Sequence, residues 1–139
     1  MKKKFKAMVL SCMDPRFQPL VYNYLKKKKL IGRYSAFTIA GSAIGVTHKK
    51  FKKWHSVFIE NLSTSIKLHK IEKLIVINHT DCGVAKIANG KKEFNSINEN
   101  KIHILSLNIL KKTVKKKFPK LKVDLNLMTL DGKLKKIKI

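Results

Sequence analysis

Arginine is almost absent from this chain: of 32 basic residues, only Arg16 and Arg33 carry a guanidinium. Acidic residues are scarce too, eight Asp and Glu in 139 residues, and the formal net charge is +24. Cysteine occurs twice, which excludes a disulfide-stapled scaffold and, in a reducing compartment, favours metal binding or catalysis. Three prolines and six glycines exclude a collagen-like or linker-rich chain. Aromatic residues make up 8%, too thinly interleaved with lysine for a base-stacking platform. No apolar run approaches the ~18 residues of a membrane-crossing helix. The apolar stretch behind Met1-Lys2-Lys3-Lys4 is only Ala7–Leu10, too short for a signal-peptide core. The chain therefore reads as cytoplasmic, with no membrane partner.

What is present suits a globular domain. A hydrophobic fraction of 44% is that of a chain that buries a core, and the length fits one domain over residues 1–139. The charge has two readings. It suits an anionic partner, with non-specific anion or nucleic-acid binding as the expected consequence. It equally suits a lysine-, isoleucine- and asparagine-rich composition of the kind that AT-rich codon usage produces. Lysines are scattered throughout, with local runs at Lys26–Lys29, Lys49–Lys53 and Lys111–Lys117.

Short apolar runs alternate with longer helix-like segments. This predicts an α/β fold, an open and mostly parallel sheet of four strands in the order 2-1-3-4, with a C-terminal edge strand and helices on both faces. Strands are expected at Lys6–Ser11, Ala36–Ile39, Lys73–Asn78 and Lys122–Leu127. A lysine-rich edge strand, Leu134–Ile139, follows the hairpin signal Asp131-Gly132. Helices are expected over Leu20–Lys28 and from about His48 to His69, the latter with Phe51, Trp54, Phe58, Leu62 and Ile66 on one face. A short helix is expected at Val84–Ala88. A further helix, Lys101–Phe118, would turn Ile102, Leu105, Ile109 and Val114 inward. In such a sheet the site lies beyond the carboxyl ends of the strands where their order reverses, here between strands one and three.

Those strands end in the residues that carry chemistry. Cys12 opens Cys12-Met13-Asp14-Pro15-Arg16, and strand three runs into His79-Thr80-Asp81-Cys82-Gly83. Two thiols and an imidazole make a Cys₂His set that leaves the fourth position of a tetrahedral Zn²⁺ open, as a catalytic site requires. Water bound there has a pKa of about 7. Pairing with Arg16 would hold Asp14 ionised and orient it. Asp14 then either accepts a hydrogen bond from the activated water or fills the fourth position itself and closes the site. Lysine cannot replace a bidentate fork, which gives weight to an arginine in a lysine-saturated chain.

With these motifs the chain resembles the β-class carbonic anhydrases, whose C-x-D-x-R and H-x-x-C motifs supply the zinc ligands and an Asp–Arg dyad. The resemblance continues in Ala40-Gly41 after strand two, in Asn61-Leu62-Ser63 with Ile66, and in Leu130-Asp131-Gly132-Lys133-Leu134 at the closing hairpin. It implies Cys12, His79 and Cys82 as Zn²⁺ ligands and Asp14 and Arg16 as the catalytic dyad. It also implies a substrate pocket at Ala40, Gly41 and Gly83, where the two glycines allow close backbone approach. The implied reaction is the reversible hydration of carbon dioxide to bicarbonate and a proton, with zinc-bound hydroxide as nucleophile. A homodimer or higher homo-oligomer is the implied assembly. Three departures stand beside it. Pro15 replaces a common Ser, Thr38 stands where an Arg is common, and the chain starts almost at strand one, without the N-terminal helices that commonly embrace a partner subunit.

Other readings remain open. The same zinc site could hydrolyse another small linear electrophile, carbon disulfide or carbonyl sulfide. A basic zinc module binding polyanions needs no catalysis at all. The cysteines alone would read as buried structural thiols. Asp81 reads as a cap for the helix that begins at Gly83, and Gly45 as a bend. His48, His55, His69 and His103 read as surface residues, and Trp54 with Phe51 and Phe58 as core or subunit interface.

Overall fold

The computed structural model describes residues 5–139; the basic residues 1–4 lie outside them. Ten elements follow in the order β1 (Ala7–Cys12), α1 (Gln18–Lys27), β2 (Tyr34–Ile39), α2 (Ala43–Thr47), α3 (Lys52–His69), β3 (Lys73–His79), α4 (Gly83–Asn89), α5 (Ser96–Lys117), β4 (Lys122–Met128) and β5 (Leu134–Lys136). The strands form one sheet in the order β2-β1-β3-β4-β5. β1 pairs in parallel with both β2 and β3, β3 pairs in parallel with β4, and β5 closes the edge antiparallel to β4. The four-strand order, the antiparallel edge strand and the hairpin are as the sequence predicts.

The central strands are apolar because both of their faces are covered. On one face Met8, Leu10, Leu74, Val76 and Leu125 pack against Phe58 and Leu62 of α3 and Leu107, Leu110 and Val114 of α5. On the other face Ala7, Val9, Ile75, Ile77 and Met128 pack against Phe17 and against Val21 and Leu25 of α1. The chain leaves β1 toward β2 on one side and returns to β3 on the other. The carboxyl ends of β1 and β3 therefore flank the crevice where strand order reverses.

Four local expectations are corrected. The long helix begins at Lys52 rather than His48, because His48 is extended and its Nδ1 accepts the Lys50 amide, capping a separate turn at Lys49–Phe51. α5 begins at Ser96, where the Asn95 side chain accepts the Asn98 amide. Its inward face holds the expected Val114, fully buried, and Ile102, partly buried, but not Leu105, 59% exposed, or Ile109, 39% exposed. The buried stripe is Glu99, His103, Ser106, Leu107, Leu110 and Val114, so it contains the polar residues that a search for apolar periodicity discards. His103, expected at the surface, is 1% exposed.

Gly45 is more than a bend. It lies in α2 with its Cα against the Ala40 carbonyl oxygen, in space that a Cβ would have to share. Among the described residues no helix is long and apolar enough to cross a membrane.

Candidate metal centre

The ligating atoms of Cys12, His79 and Cys82 lie within 4.8 Å of one another, and all three residues are buried. Both thiols are free. Cys12 is the last residue of β1, His79 the last of β3, and Cys82 the residue before α4. The parallel register of β1 and β3, Leu10 opposite Val76, brings the two strand ends level.

The imidazole of His79 is fixed on two sides. Its ring stacks on Phe17, with centroids 4.0 Å apart and planes 25° apart. Its Nδ1–H donates to the Thr80 carbonyl at 2.7 Å. The lone pair is thereby left on Nε2, which is buried and has no hydrogen-bond partner. Buried polar atoms are rarely left unmatched, and this one belongs to a group of three metal-type donors. A Cys₂His set with an orphaned ring nitrogen fits a zinc-type ion in composition and in polarity.

The neighbouring thiols are driven apart: the Cys82 side chain, with His79 beside it, pulls the Cys12 thiol down despite its burial, while Cys12 and burial push Cys82 up. The Gly41 amide also donates to Cys12 Sγ, at 3.3 Å. Gly41 has φ +81°, and a Cβ there would collide with the Val84 side chain. Both facts require glycine at that position. Gly83 differs from the expectation: a Cβ would meet nothing within 4 Å there, so no close approach demands glycine.

The Asp14–Arg16 pair forms as a fork. Arg16 Nη2 donates to Asp14 Oδ2 at 2.8 Å and Nε to Oδ1 at 3.1 Å. Asp14 Oδ1 also accepts the Arg16 amide, capping the turn at Pro15–Phe17. Proline suits the first position of that turn, where no amide donor is needed, so Pro15 is compatible with the motif's geometry. The Arg16 hydrogen bonds hold the Asp14 carboxyl down at about 2. Asp14 Oδ2 lies 3.8 Å from His79 Nε2.

Arg16 also reaches the second motif. Its Nη1 donates to Asp81 Oδ2 at 2.9 Å and its Nη2 to the Asp81 carbonyl at 3.0 Å. Asp81 is therefore not the expected helix cap; Cys82 occupies the cap position of α4, with no side-chain cap bond. Asp81 instead has φ +56°, a left-handed conformation that Asp tolerates better than most residues.

The motif reading missed one participant, Glu99. Its carboxylate accepts the amides of Asp81, at 3.1 Å, and Cys82, at 2.9 Å. Two signals were available in the sequence. Glu99 stands four residues before His103, just ahead of the stretch expected to be helical, and it is one of only eight acidic residues in the chain.

Residues 1–124 match the family described as “Putative carbonic anhydrase”. An uncharacterized protein of Rickettsia conorii is 28% identical over 132 residues, covering 94% of this chain and 71% of its own length. Another, from Rickettsia bellii, is 27% identical over 132 residues, covering 94% and 80%. Among solved structures, a carbonic anhydrase from Glaciozyma antarctica is similar at TM-score 0.64 and 20% identity, over 99% of this chain and 85% of that one. A tetrameric β-carbonic anhydrase from Sordaria macrospora gives TM-score 0.67 at 11% identity, over 99% and 83%. At these identities the solved structures speak for the fold, the same mostly parallel α/β sheet.

Proposed function

The chain belongs to this carbonic anhydrase family, and on that premise we propose that it catalyses the reversible hydration of carbon dioxide to bicarbonate and a proton. Cys12, His79 and Cys82 hold Zn²⁺ in this reading, and Asp14 and Arg16 form the orienting pair beside it. The observation that carries the reading is the orphaned His79 Nε2, grouped with two free buried thiols and 3.8 Å from a carboxylate tied to arginine.

When bound, zinc supplies Lewis-acid chemistry, making a water molecule acidic enough to lose a proton near neutral pH. The side chains do the rest. His79 binds through Nε2 because its Nδ1–H is committed to Thr80. Two thiolates offset the ion's charge. Asp14 stays ionised under the Arg16 fork, and its Oδ2 accepts a hydrogen bond from the reacting water, aiming the oxygen lone pair at the carbon of carbon dioxide. That fork also occupies Asp14, which favours an open fourth position over one closed by the carboxylate. The new C–O bond gives bicarbonate, and the proton passes to solvent. Ala40, Gly41 and Gly83 border the pocket in this reading, and Gly41 supports Cys12 through its amide.

Stopped-flow carbon dioxide hydration by zinc-loaded protein tests the proposal. Turnover at neutral to mildly alkaline pH is expected. Full zinc occupancy without turnover would overturn it. The reading extends to cytoplasmic subunits and to a homodimer or larger assembly, the latter in keeping with the tetrameric Sordaria enzyme. Subunits of this charge repel, so association should strengthen with ionic strength in sedimentation, and weakening would refute it.

A further inference from the structure

We infer that Glu99, held in place through His103 and Asn78, is the positioning residue of the metal centre. It fixes the Asp81–Cys82 backbone in the conformation that presents Cys82 to the ion. The inference rests on the reading that Cys12, His79 and Cys82 hold a metal.

Glu99 is 8% exposed in a chain with few acidic residues. A carboxylate is costly to bury unless its oxygens are matched. Here three N–H groups converge on it. The Asp81 amide donates to Oε1, and the Cys82 amide and His103 Nε2 donate to Oε2, the last at 3.0 Å. Consecutive amides aimed at one anion form a concave backbone nest, which requires a left-handed residue. Asp81 supplies it at φ +56°. The carboxylate and the strained residue therefore explain each other: the left-handed turn at Asp81 accompanies two successive amides directed at one anion.

The donor directions form a continuous series. The Ala43 amide donates to Asn78 Oδ1 at 3.0 Å, so the other end of that amide side chain is Nδ2. Asn78 Nδ2 donates to His103 Nδ1 at 2.9 Å. With Nδ1 accepting, His103 carries its proton on Nε2 and donates it to Glu99. Asn78 and His103 are each 1% exposed, so no water competes for these bonds. The series begins at Ala43, two residues after Gly41, whose amide supports Cys12. The series thus runs from the segment after β2, whose Gly41 amide donates to Cys12 Sγ, to the loop that carries Cys82.

The chemistry singles out a carboxylate. Glutamine offers one acceptor oxygen and brings two donors of its own, so it must face at least one of the three N–H groups with an N–H. Conversely, glutamine at position 103 retains an acceptor and a donor.

The test titrates wild-type protein, Glu99→Gln, Glu99→Ala, His103→Gln and His103→Leu with zinc against a competing chelator, alongside the melting temperature of each metal-free form. Both Glu99 variants should bind zinc about 10–100-fold more weakly, the usual effect of removing a partner that orients a ligand. His103→Leu should weaken in the same direction and His103→Gln should stay close to wild type. Cobalt-loaded Glu99 variants should show weakened thiolate-to-metal absorption. A folded Glu99→Gln with wild-type zinc affinity and only a lowered melting temperature overturns the inference. If the Glu99 variants do not fold, equal zinc affinity of His103→Leu and His103→Gln overturns it. Wild-type protein that binds no zinc refutes the metal reading instead, so the two failures are distinct.

Discussion

In the loop that follows β1, neighbours in the chain hold one another. Asp14 caps the turn that contains Arg16, Arg16 grips Asp14, and Gln18 Nε2 donates to the carbonyls of Cys12 and Asp14, each at 2.9 Å. Arg16 is 46% exposed at its side chain, so water reaches much of this arrangement. In the loop that follows β3, support comes from elsewhere. Phe17 flattens the imidazole of His79, and Glu99 on α5 receives the amides of Asp81 and Cys82 from inside the protein. A short-range, wet arrangement can be altered piecemeal, because solvent replaces a lost partner. A buried one cannot, because each lost partner leaves an unmatched polar group. Arg16 is the bridge between the two, with one hand on Asp14 and the other on Asp81.

The largest expected effect erases the contrast. Cys12→Ser and Cys82→Ser, one on each loop, should both lose zinc and reduce carbon dioxide hydration to the limit of detection, measured by metal analysis and stopped-flow. A variant that kept both metal and turnover would remove its thiol from the ligand set. Asp14→Asn should separate the loops. Zinc content should remain at the wild-type level while kcat/KM falls by about 10²–10⁴-fold, the range for a positioned proton-handling group. Loss of zinc in that variant would mean that the first loop shapes the ligand set as much as the second does.

Asp81→Asn tests the bridge. The Asp81 carboxylate is 66% exposed, so chemical denaturation should show a stability loss of under about 1 kcal/mol, as for exposed ion pairs. Zinc affinity should change little, because the backbone amide of residue 81 still reaches Glu99. A large loss of affinity would shift the burden from the inner support to the outer.

The smallest effect is on acid stability. Asp14 is pulled from its ordinary 3.8 to about 2 in the folded chain, chiefly by the Arg16 hydrogen bonds. A depressed folded pKa stabilises the fold above the unfolded value, and the contribution fades as pH falls toward the folded one. The gap in denaturation midpoint between wild type and Asp14→Asn should therefore be full above about pH 4 and shrink toward about pH 2. A gap that widened with acid would contradict the fork.

The same division explains what could be read in advance. The apolar runs of β1 and β3 announced central strands, and the alternation of elements announced a mostly parallel sheet. Cys12, Asp14 and Arg16, and likewise His79 and Cys82, stand close enough in sequence to form visible motifs. Glu99 does not, because it reaches Cys82 from α5 by tertiary packing. His103 reads as a surface residue for the same reason: a polar side chain on a lysine-rich helix signals solvent unless a buried partner such as Asn78 is already known. On α5 apolar residues occur on nearly every side, so Leu105 and Ile109 looked as eligible for the core as Leu107 and Leu110. α2 leaves no signal in the sequence, because Ala43–Thr47 is only five residues long and is held by contacts with Ala40 and Asn78 rather than by any periodic pattern.

The stacking of Phe17 on His79 has a consequence for how the centre fills. A ring pressed against another ring, with one nitrogen committed to a carbonyl, has no second rotamer to explore. Its conformational entropy is lost when the chain folds and not when an ion arrives. Metal binding then resembles filling a mould more than building one. A chain stripped by chelation should stay folded around an empty centre and reload on mixing, without a slow refolding step.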